Sequence, residues 1–279
     1  MKAIIILVCY AAFFAGCGGS SQANGKTHVV AAFYPLAFAA QKLGGDKVDV
    51  VNLTPAGAEP HDLEVTPSTV RRLRGADLVL LLGHGFQPQL EKAAGGSGSV
   101  LLLLDTPGLD RYPNGDPHVW LDPIRFSLIV KRIGRALHAT APTQRLVAQL
   151  HGLDREYRQG LAHCDRREIV TSHEAFAYLG ERYGLRQVAI TGLSPEAEPA
   201  PKDLQRVVSL VRSTHATTIF FETLVSPRIA QTVARETGAK TAVLNPIEGL
   251  KPDEAKAGEN YFTVMRSNLA HLRAALGCR

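Results

Sequence analysis

Short apolar runs rich in β-branched residues alternate with helix-like stretches along the first half of the chain. Four of these runs are predicted to be strands: Val29–Phe33, Val48–Leu53, Leu78–Leu82 and Val100–Leu104. Helical spacing is found between them, at Ser68–Gly75 and Pro88–Ala94. This β-α-β alternation predicts a parallel sheet covered by helices.

The second half of the chain repeats the same alternation. Its predicted strands are Ile169–Ser172, Val188–Ile190, Thr217–Phe221 and Thr241–Leu244. Its predicted helices are Ala175–Tyr183, Pro201–Ser213 and Pro227–Thr237. The pattern therefore predicts an α/β protein with two similar lobes.

Two helical patterns lie between the halves, one starting at Pro123 behind Asp122 and a longer one over Pro142–His163. Proline fits the first turn of a helix. Leucines and a tyrosine three or four positions apart give the longer helix a single apolar stripe, as expected of a helix lying against both lobes. We therefore predict an N-terminal lobe at residues 27–141, a connecting helix at 142–163 and a C-terminal lobe at 164–279.

The N-terminus has the features of a signal peptide over residues 1–16, with Lys2 followed by the apolar run Ala3–Ala15. The run is shorter than the roughly 20 residues of a membrane-spanning helix. Phe14-Ala15-Gly16-Cys17 resembles a bacterial lipobox, which predicts a lipid on Cys17 and a flexible tether at 17–26. Ordinary secretion is the alternative, and both place the protein outside the cytoplasm.

Cysteine usage agrees with an extracytoplasmic location. Cys9 belongs to the predicted signal and Cys17 to the lipid anchor, which leaves Cys164 and Cys278 as a pair. We expect a disulfide between them, and the alternative is two buried free thiols.

Composition is that of an ordinary globular chain: 279 residues, 45% hydrophobic and 20% charged. This length is sufficient for two lobes of usual domain size. The formal net charge is +5, and the basic residues are scattered along helices without an aromatic-rich basic stripe. Nucleic acid is therefore not an expected partner.

Metal-binding residue types cluster where predicted strands end or predicted helices begin. Four segments have this property: Glu59-Pro60-His61-Asp62, Asp116–Pro123, Thr171-Ser172-His173-Glu174 and Leu244–Glu248. Ligand sites in open α/β sheets collect at the carboxyl ends of strands, so these loops are expected to converge in the inter-lobe cleft. They carry imidazoles and carboxylates, with Asp62, Asp116 and Asp122 adding negative charge, and they lack the Gly-rich, Lys-containing turn of a phosphate site. The predicted ligand is a cation.

Three neutral imidazoles and one carboxylate suit tetrahedral Zn²⁺, while Mn²⁺ and Mg²⁺ prefer more oxygen ligands. The candidate metal ligands are His61, His118, His173 and Glu248. Mn²⁺ and Fe²⁺ stay open as alternatives, because geometry and availability decide selectivity more than affinity does.

Three further carboxylates are candidates for supporting the ligands: Glu222, Asp62 and Asp122. Glu222 follows the apolar pair Phe220-Phe221, so it is expected to be partly buried and to orient a ligating imidazole. An ion pair of Glu222 with Arg228 or Lys202 is the alternative. The seven remaining histidines are interpreted as packed or solvated side chains. His84, in the turn after the third predicted strand, is the one among them for which a different role stays open.

At these residues the sequence resembles the zinc/manganese solute-binding lipoproteins of bacterial ABC transporters, the group with a rigid inter-lobe helix. The resemblance covers nearly the whole mature chain. It rests on motifs at Val30–Leu36, Pro60–Asp62, Ala76–Leu78, Asp116–Pro123, Thr171–Leu179, Gly192–Glu196, Phe221-Glu222 and Leu244–Leu250.

The resemblance implies that His61, His118 and His173 occupy the three histidine ligand positions of the family and Glu248 the fourth, for which water or another nearby carboxylate is the alternative. His173 favours zinc, because manganese-type members usually carry a carboxylate there. The implied function is extracytoplasmic capture of Zn²⁺ as a transported ligand and its delivery to an ABC permease by a lipid-anchored monomer without enzymatic activity. An extracellular metallohydrolase, with Glu222 or Glu174 as base, is the alternative, but the chain has no His-Glu-x-x-His helix.

Overall fold

The computed structural model describes residues 25–110, 115–197 and 199–279. The predicted signal peptide, Cys17 and most of the predicted tether lie outside the described residues. The strands are β1 Thr27–Ala31, β2 Val48–Asn52, β3 Leu78–Leu81, β4 Ser99–Leu102, β5 Glu168–Thr171, β6 Arg186–Ala189, β7 Thr218–Phe221 and β8 Lys240–Val243. The α-helices are α1 Tyr34–Gly44, α2 Pro67–Arg74, α3 Pro88–Ala93, α4 Pro123–Ala136, α5 Thr140–Gly160, α6 Ala177–Tyr183, α7 Pro201–Thr214, α8 Arg228–Thr237, α9 Pro252–Lys256 and α10 Tyr261–Leu276.

Each lobe is built on a four-stranded parallel sheet, which confirms the predicted two-lobed α/β fold. The strand orders are β2-β1-β3-β4 and β6-β5-β7-β8, so the two sheets share one topology. In this order, the connections from the two central strands leave in opposite directions and open a crevice at the carboxyl edge of the sheet. The loops after the strands of each lobe are thereby directed to one side.

The long helix α5 runs from Thr140 to Gly160, slightly earlier than the predicted 142–163, so that Pro142 lies within its first turn. Its apolar stripe is buried at Leu146, Leu150, Leu153 and Tyr157. The Tyr157 hydroxyl donates to the Met265 carbonyl of α10 at 2.6 Å. One face of α5 therefore packs on both the N-terminal helices and the C-terminal helix. Within the described ranges, none of the helices combines the length and apolarity needed to span a bilayer.

The start of α4 is fixed by Asp122, a buried N-cap. Its carboxylate accepts the backbone N–H of Ile124 at 2.8 Å and forms an ion pair with Arg125 at 2.9 Å. A side-chain N-cap satisfies donors that the first helical turn leaves unpaired. This cap holds the chain just after His118, which lies four residues earlier.

Cys164 and Cys278 form a disulfide that joins the segment after α5 to the end of α10. The two cysteines are 114 residues apart in sequence. The bond closes nearly the whole C-terminal lobe into one loop, and the alternative of two free thiols does not apply to this structure.

Candidate metal centre

Four loops, two from each lobe, bring the predicted ligands together. His61 follows β2, His118 precedes α4, His173 follows β5 and Glu248 follows β8. One ligand atom of each residue lies within 4.8 Å of the others. The side chains of His118, His173 and Glu248 are fully buried, and that of His61 is 12% exposed. The structure therefore assembles the four predicted residues in one buried cluster between the lobes.

Four of the six separations between ligand atoms of the cluster are near those of a tetrahedral metal site, and all six are within 4.8 Å. Oε1 of Glu248 lies 3.1 Å from Nε2 of His61, 2.8 Å from Nε2 of His118 and 3.7 Å from Nε2 of His173. Nε2 of His118 and Nε2 of His173 are 3.3 Å apart. Ligand bonds of about 2.0 to 2.1 Å in a tetrahedron place the ligand atoms about 3.4 Å from one another. A zinc ion fits between these atoms with small adjustments of the side chains.

Asp116 orients the imidazole of His118. Oδ1 of Asp116 lies 2.6 Å from Nδ1 of His118 and also accepts the His118 backbone N–H at 2.9 Å. The Tyr178 hydroxyl, from the other lobe, donates to the Asp116 carbonyl at 3.2 Å. With Nδ1 engaged by a carboxylate, Nε2 is directed into the cluster, which is the arrangement found around metal-bound histidines.

Glu222 performs the same task for His173. It follows β7, and its Oε1 lies 2.5 Å from Nδ1 of His173 while also accepting the Ser172 hydroxyl. Because β5 and β7 are neighbours in the sheet, His173 and Glu222 stand side by side at its carboxyl edge. Glu222 is only 3% exposed, and its described partners are His173 and Ser172, not Arg228 or Lys202.

Glu248 follows a strained turn that directs its side chain toward the histidines. Ile247 has φ of 60°, a conformation that is an outlier for a β-branched residue and persists only where the surroundings impose it. Asn245 Oδ1 accepts the Ile247 N–H at 2.7 Å. Asn268 of α10 in turn accepts the Asn245 N–H at 2.9 Å and donates to its carbonyl at 2.7 Å. Helix α10 therefore holds the Glu248 turn in place.

Charges within the cluster shift the protonation of its members. Burial alone lowers the pKa of His118, but hydrogen bonds to Asp116 and Glu248 outweigh burial and raise it above the ordinary histidine value. For His173, burial is likewise outweighed by Glu222 and Glu248, which raise the pKa to about 10. Burial, and then the charge of Glu248, raises the pKa of Glu59 to about 9. Both histidine shifts therefore come from the carboxylates that contact the imidazoles.

Carboxylate oxygens in and around the cluster have unmet bonding capacity. Oε2 of Glu248, Oε2 of Glu222 and Oε2 of Glu59 are buried without a hydrogen-bond partner among the described residues. Buried polar atoms in native proteins are normally paired, and where a protein partner is missing a bound ion often takes its place. The donor types and the surplus of acceptor oxygens both fit a divalent cation.

The other two supporting candidates lie elsewhere. Asp62 is exposed to solvent. Asp122 caps α4 and pairs with Arg125 and Arg182, so its described contacts are with guanidinium groups. Neither Asp116 nor the Asn245–Asn268 pair is predicted from the sequence to orient a ligand. The position of Asp116, two residues before a candidate ligand, is the one available signal.

The comparisons with known proteins agree with this geometry. The profile of the ZnuA family, described as zinc-uptake complex component A, periplasmic, matches residues 29–275. The zinc-binding lipoprotein AdcA of Streptococcus pneumoniae is 35% identical over 98% of the chain, which spans 61% of that protein's length. The high-affinity zinc uptake system protein ZnuA of Bacillus subtilis is 33% identical, over 98% of this chain and 96% of that protein. The crystal structure of the Zn(II)-bound ZnuA-like domain of Streptococcus pneumoniae AdcA has a TM-score of 0.79 at 34% identity, over 90% of this chain and 99% of that one.

Two parallel-sheet lobes, one long helix between them and a buried histidine and carboxylate cluster in the cleft define the class of ZnuA-type solute-binding proteins. The family profile covers almost all of the described residues. The chain belongs to the ZnuA family.

Proposed function

We propose that this protein is a receptor that captures one Zn²⁺ ion as cargo through His61, His118, His173 and Glu248. The proposal depends above all on the close spacing of four ligand atoms supplied by both lobes, three of them on fully buried side chains and the fourth on His61, which is 12% exposed. Closed four-coordinate sites of this kind hold zinc tightly without chemistry at the metal. The zinc-binding relatives in Streptococcus pneumoniae and Bacillus subtilis support the same assignment.

Capture fits the site better than hydrolysis does. A catalytic zinc keeps one position open for water or substrate, whereas four protein ligands fill a tetrahedral site. The side chains of His118, His173 and Glu248 are also fully buried, so these three ligands present no open face to a substrate. The relatives are metal-binding transport proteins, which supports a role as a receptor and not as an enzyme.

The ligand types favour Zn²⁺ over Mn²⁺ and Fe²⁺. Three imidazole nitrogens form a borderline-soft set, while the harder Mn²⁺ prefers a larger share of oxygen ligands. His173 is decisive within the set, since an oxygen ligand at this position would move the site toward harder ions.

The proposed receptor acts outside the cytoplasm on an anchored tether. Removal of residues 1–16 would leave Cys17 as the lipidated first residue, with 17–26 as the tether. The two lobes, joined by the connecting helix α5 (Thr140–Gly160), would then present the ion as a monomer to an ABC permease. The lipoprotein and uptake-system relatives support this arrangement.

Metal analysis of the mature chain tests the proposal. The protein is stripped with a chelator, reloaded with equimolar Zn²⁺ and Mn²⁺, and desalted before its metals are counted. We expect one zinc per chain and little manganese. A chain that retains no stoichiometric metal would overturn the receptor assignment, and one that retains manganese alone would overturn the choice of ion.

Replacing Glu222 by Gln is expected to weaken zinc binding by about 10- to 100-fold, the usual cost of losing a carboxylate that orients a ligating histidine. Gln keeps the shape of Glu222 but removes the charge that fixes the ring of His173. Ser172→Ala is the matched control, because it removes the other donor to Glu222 and leaves the imidazole contact intact. Competition with a chromophoric chelator measures the zinc affinity of both variants. A wild-type affinity in Glu222→Gln would show that Glu222 does not support the site.

Zinc affinity is expected to rise with pH. Burial is outweighed by hydrogen bonds to carboxylates, which raise the pKa of His118 above its ordinary value and that of His173 to about 10. His173 is therefore protonated at neutral pH in the metal-free protein, and since zinc requires neutral imidazoles, binding displaces at least this proton and acid weakens it. Calorimetry in two buffers of different ionisation enthalpy counts the protons released. Binding without proton release at neutral pH would contradict the described hydrogen bonds of the cluster.

A further inference from the structure

The turn between β3 and α3 contains a histidine that the metal cluster does not use. His84 has φ of 57° and lies between Gly83 at 90° and Gly85 at 81°. A non-glycine residue in this conformation is uncommon. His138 and His215 share it, but they follow the ends of α4 and α7, where left-handed residues are ordinary. His84 does not follow a helix, so helix termination does not account for its conformation.

This turn is fixed against the loop that carries His61. The Glu91 carboxylate accepts the backbone N–H groups of Gly85 at 3.1 Å and Gln87 at 3.3 Å. The Gln87 side chain donates to the Pro60 carbonyl at 2.9 Å. The ring of Phe86 lies 4.8 Å from the ring of His61. His84 is therefore held at a defined place beside the first ligand.

Of the four ligand side chains, only that of His61 reaches solvent, and it does so beside this turn. His61 is 12% exposed, while the side chains of the other three ligands are fully buried. A pocket of about 180 Å³ opens there and is lined by His61, His84 and Phe86 from one lobe and by Leu193 and Ser194 from the other. An ion that reaches His61 through this pocket passes His84.

The chemistry of His84 repeats that of the buried ligands. Its Nε2 lies 2.6 Å from Oδ1 of Asp105, which follows β4. His118 with Asp116 and His173 with Glu222 also form imidazole–carboxylate pairs, although there the carboxylate contacts Nδ1. Such a carboxylate orients the ring and increases its basicity toward metal. The His84–Asp105 pair differs in being solvent-exposed, with side-chain exposures of 38% and 48%.

We propose that His84 and Asp105 form an entry site that captures Zn²⁺ at the mouth of the pocket and passes it to His61. This inference rests on the proposed zinc-receptor function. The negative side chain attracts the cation, and the imidazole and carboxylate hold it transiently on the route to His61. Because the ion leaves by the same route, this transient position lowers one barrier for both directions, so association and dissociation are accelerated alike and the equilibrium dissociation constant changes little.

Stopped-flow kinetics on the full mature chain test the entry site. Trp120 is the only tryptophan and its ring lies 5.2 Å from that of His118, so its fluorescence reports arrival of zinc, and a chromophoric chelator provides a second readout. The variants are His84→Asn and Asp105→Asn. Asn tolerates the left-handed conformation, which protects the turn. His215→Asn is the matched control, with the same substitution at an exposed histidine of φ 52°.

We expect each of the two variants to slow zinc association roughly tenfold, to slow chelator-induced release by the same factor and to keep the wild-type dissociation constant. The control should behave as wild type. Tight zinc binding with unchanged association rates would overturn the entry site and leave the receptor function standing. A weaker affinity at unchanged association rate would also overturn it, since His84 would then belong to the resting site. Failure of the wild-type chain to bind zinc would overturn the receptor function, and the entry site with it.

Discussion

Replacing His118 by Ala is expected to lower zinc affinity by about 100- to 1,000-fold. Four-ligand zinc sites bind with about 10 to 16 kcal/mol, so one ligand accounts for roughly a quarter of that energy. His118 is fully buried, and its Nε2 lies within 3.3 Å of two other ligand residues. The groups around the space left by Ala already take part in the contacts of the cluster, so none of them replaces the lost imidazole. Chelator competition and metal counting on the purified variant measure the loss.

His151→Ala is the control for this variant, because His151 lies exposed on α5 and should have no effect on zinc. A cooperative unfolding transition of metal-free His118→Ala would show that the fold is retained. If the variant still binds one zinc with wild-type affinity, His118 is not a ligand and the site must be rebuilt around other residues.

Loss of the Cys164–Cys278 disulfide is expected to lower the free energy of unfolding by about 4 to 5 kcal/mol in the chain-entropy treatment. The size follows from the 114-residue separation of the two cysteines, because a bond that closes a long loop removes many conformations of the unfolded chain. Urea unfolding of the metal-free double variant Cys164→Ala/Cys278→Ala measures the difference.

Treatment of wild type with a reducing agent should reproduce the effect of the double variant, while the double variant itself should no longer respond to reductant. Both forms should bind zinc, because neither cysteine is near the ligands in the described contacts. An unfolding midpoint that does not move on reduction would show that the disulfide contributes little to stability.

The strands and the ligand set are predictable because their signals are local. Parallel strands buried on both faces appear as short apolar runs. Ligand-type residues follow such a run directly at Thr171–Glu174, and at Asp116–Pro123 they stand directly before the predicted helix that starts at Pro123. The strand bounds shift by at most two residues, as with β4, which is followed by a single 3₁₀ turn over Leu103–Asp105.

Helices α1 and α10 are not predicted from the local pattern. In α1, the side chains from Pro35 to Ala40 are buried. The segment therefore lacks the polar positions that would alternate with apolar ones at the 3.6-residue period of an amphipathic helix. Its burial depends on packing against other elements, which a local pattern does not reveal. The sequence does contain one signal for the start of α10, the capping box in which the Asn260 side chain accepts the Phe262 N–H.

The groups that orient the ligands are harder to foresee because they depend on contacts between distant segments. Glu222 is predictable because strand β7 precedes it, and neighbouring parallel strands place their ends together. Asn268, by contrast, reaches the Glu248 turn from a helix, and it lies 23 residues beyond its partner Asn245. Only the packing of α10 determines that contact.

The division of the four ligands between the lobes gives the bound ion a mechanical role. His61 and His118 come from one lobe, and His173 and Glu248 from the other. A bound cation is therefore a cross-link, and any force that separates the lobes acts directly on its coordination bonds. By thermodynamic reciprocity, a partner that binds the form with separated lobes more tightly lowers the affinity for the ion. The factor equals the one by which the bound ion lowers the affinity for the partner. Under the proposed receptor function, release of the ion would then require no competing chelator, only a partner surface that binds the two lobes at a slightly greater separation.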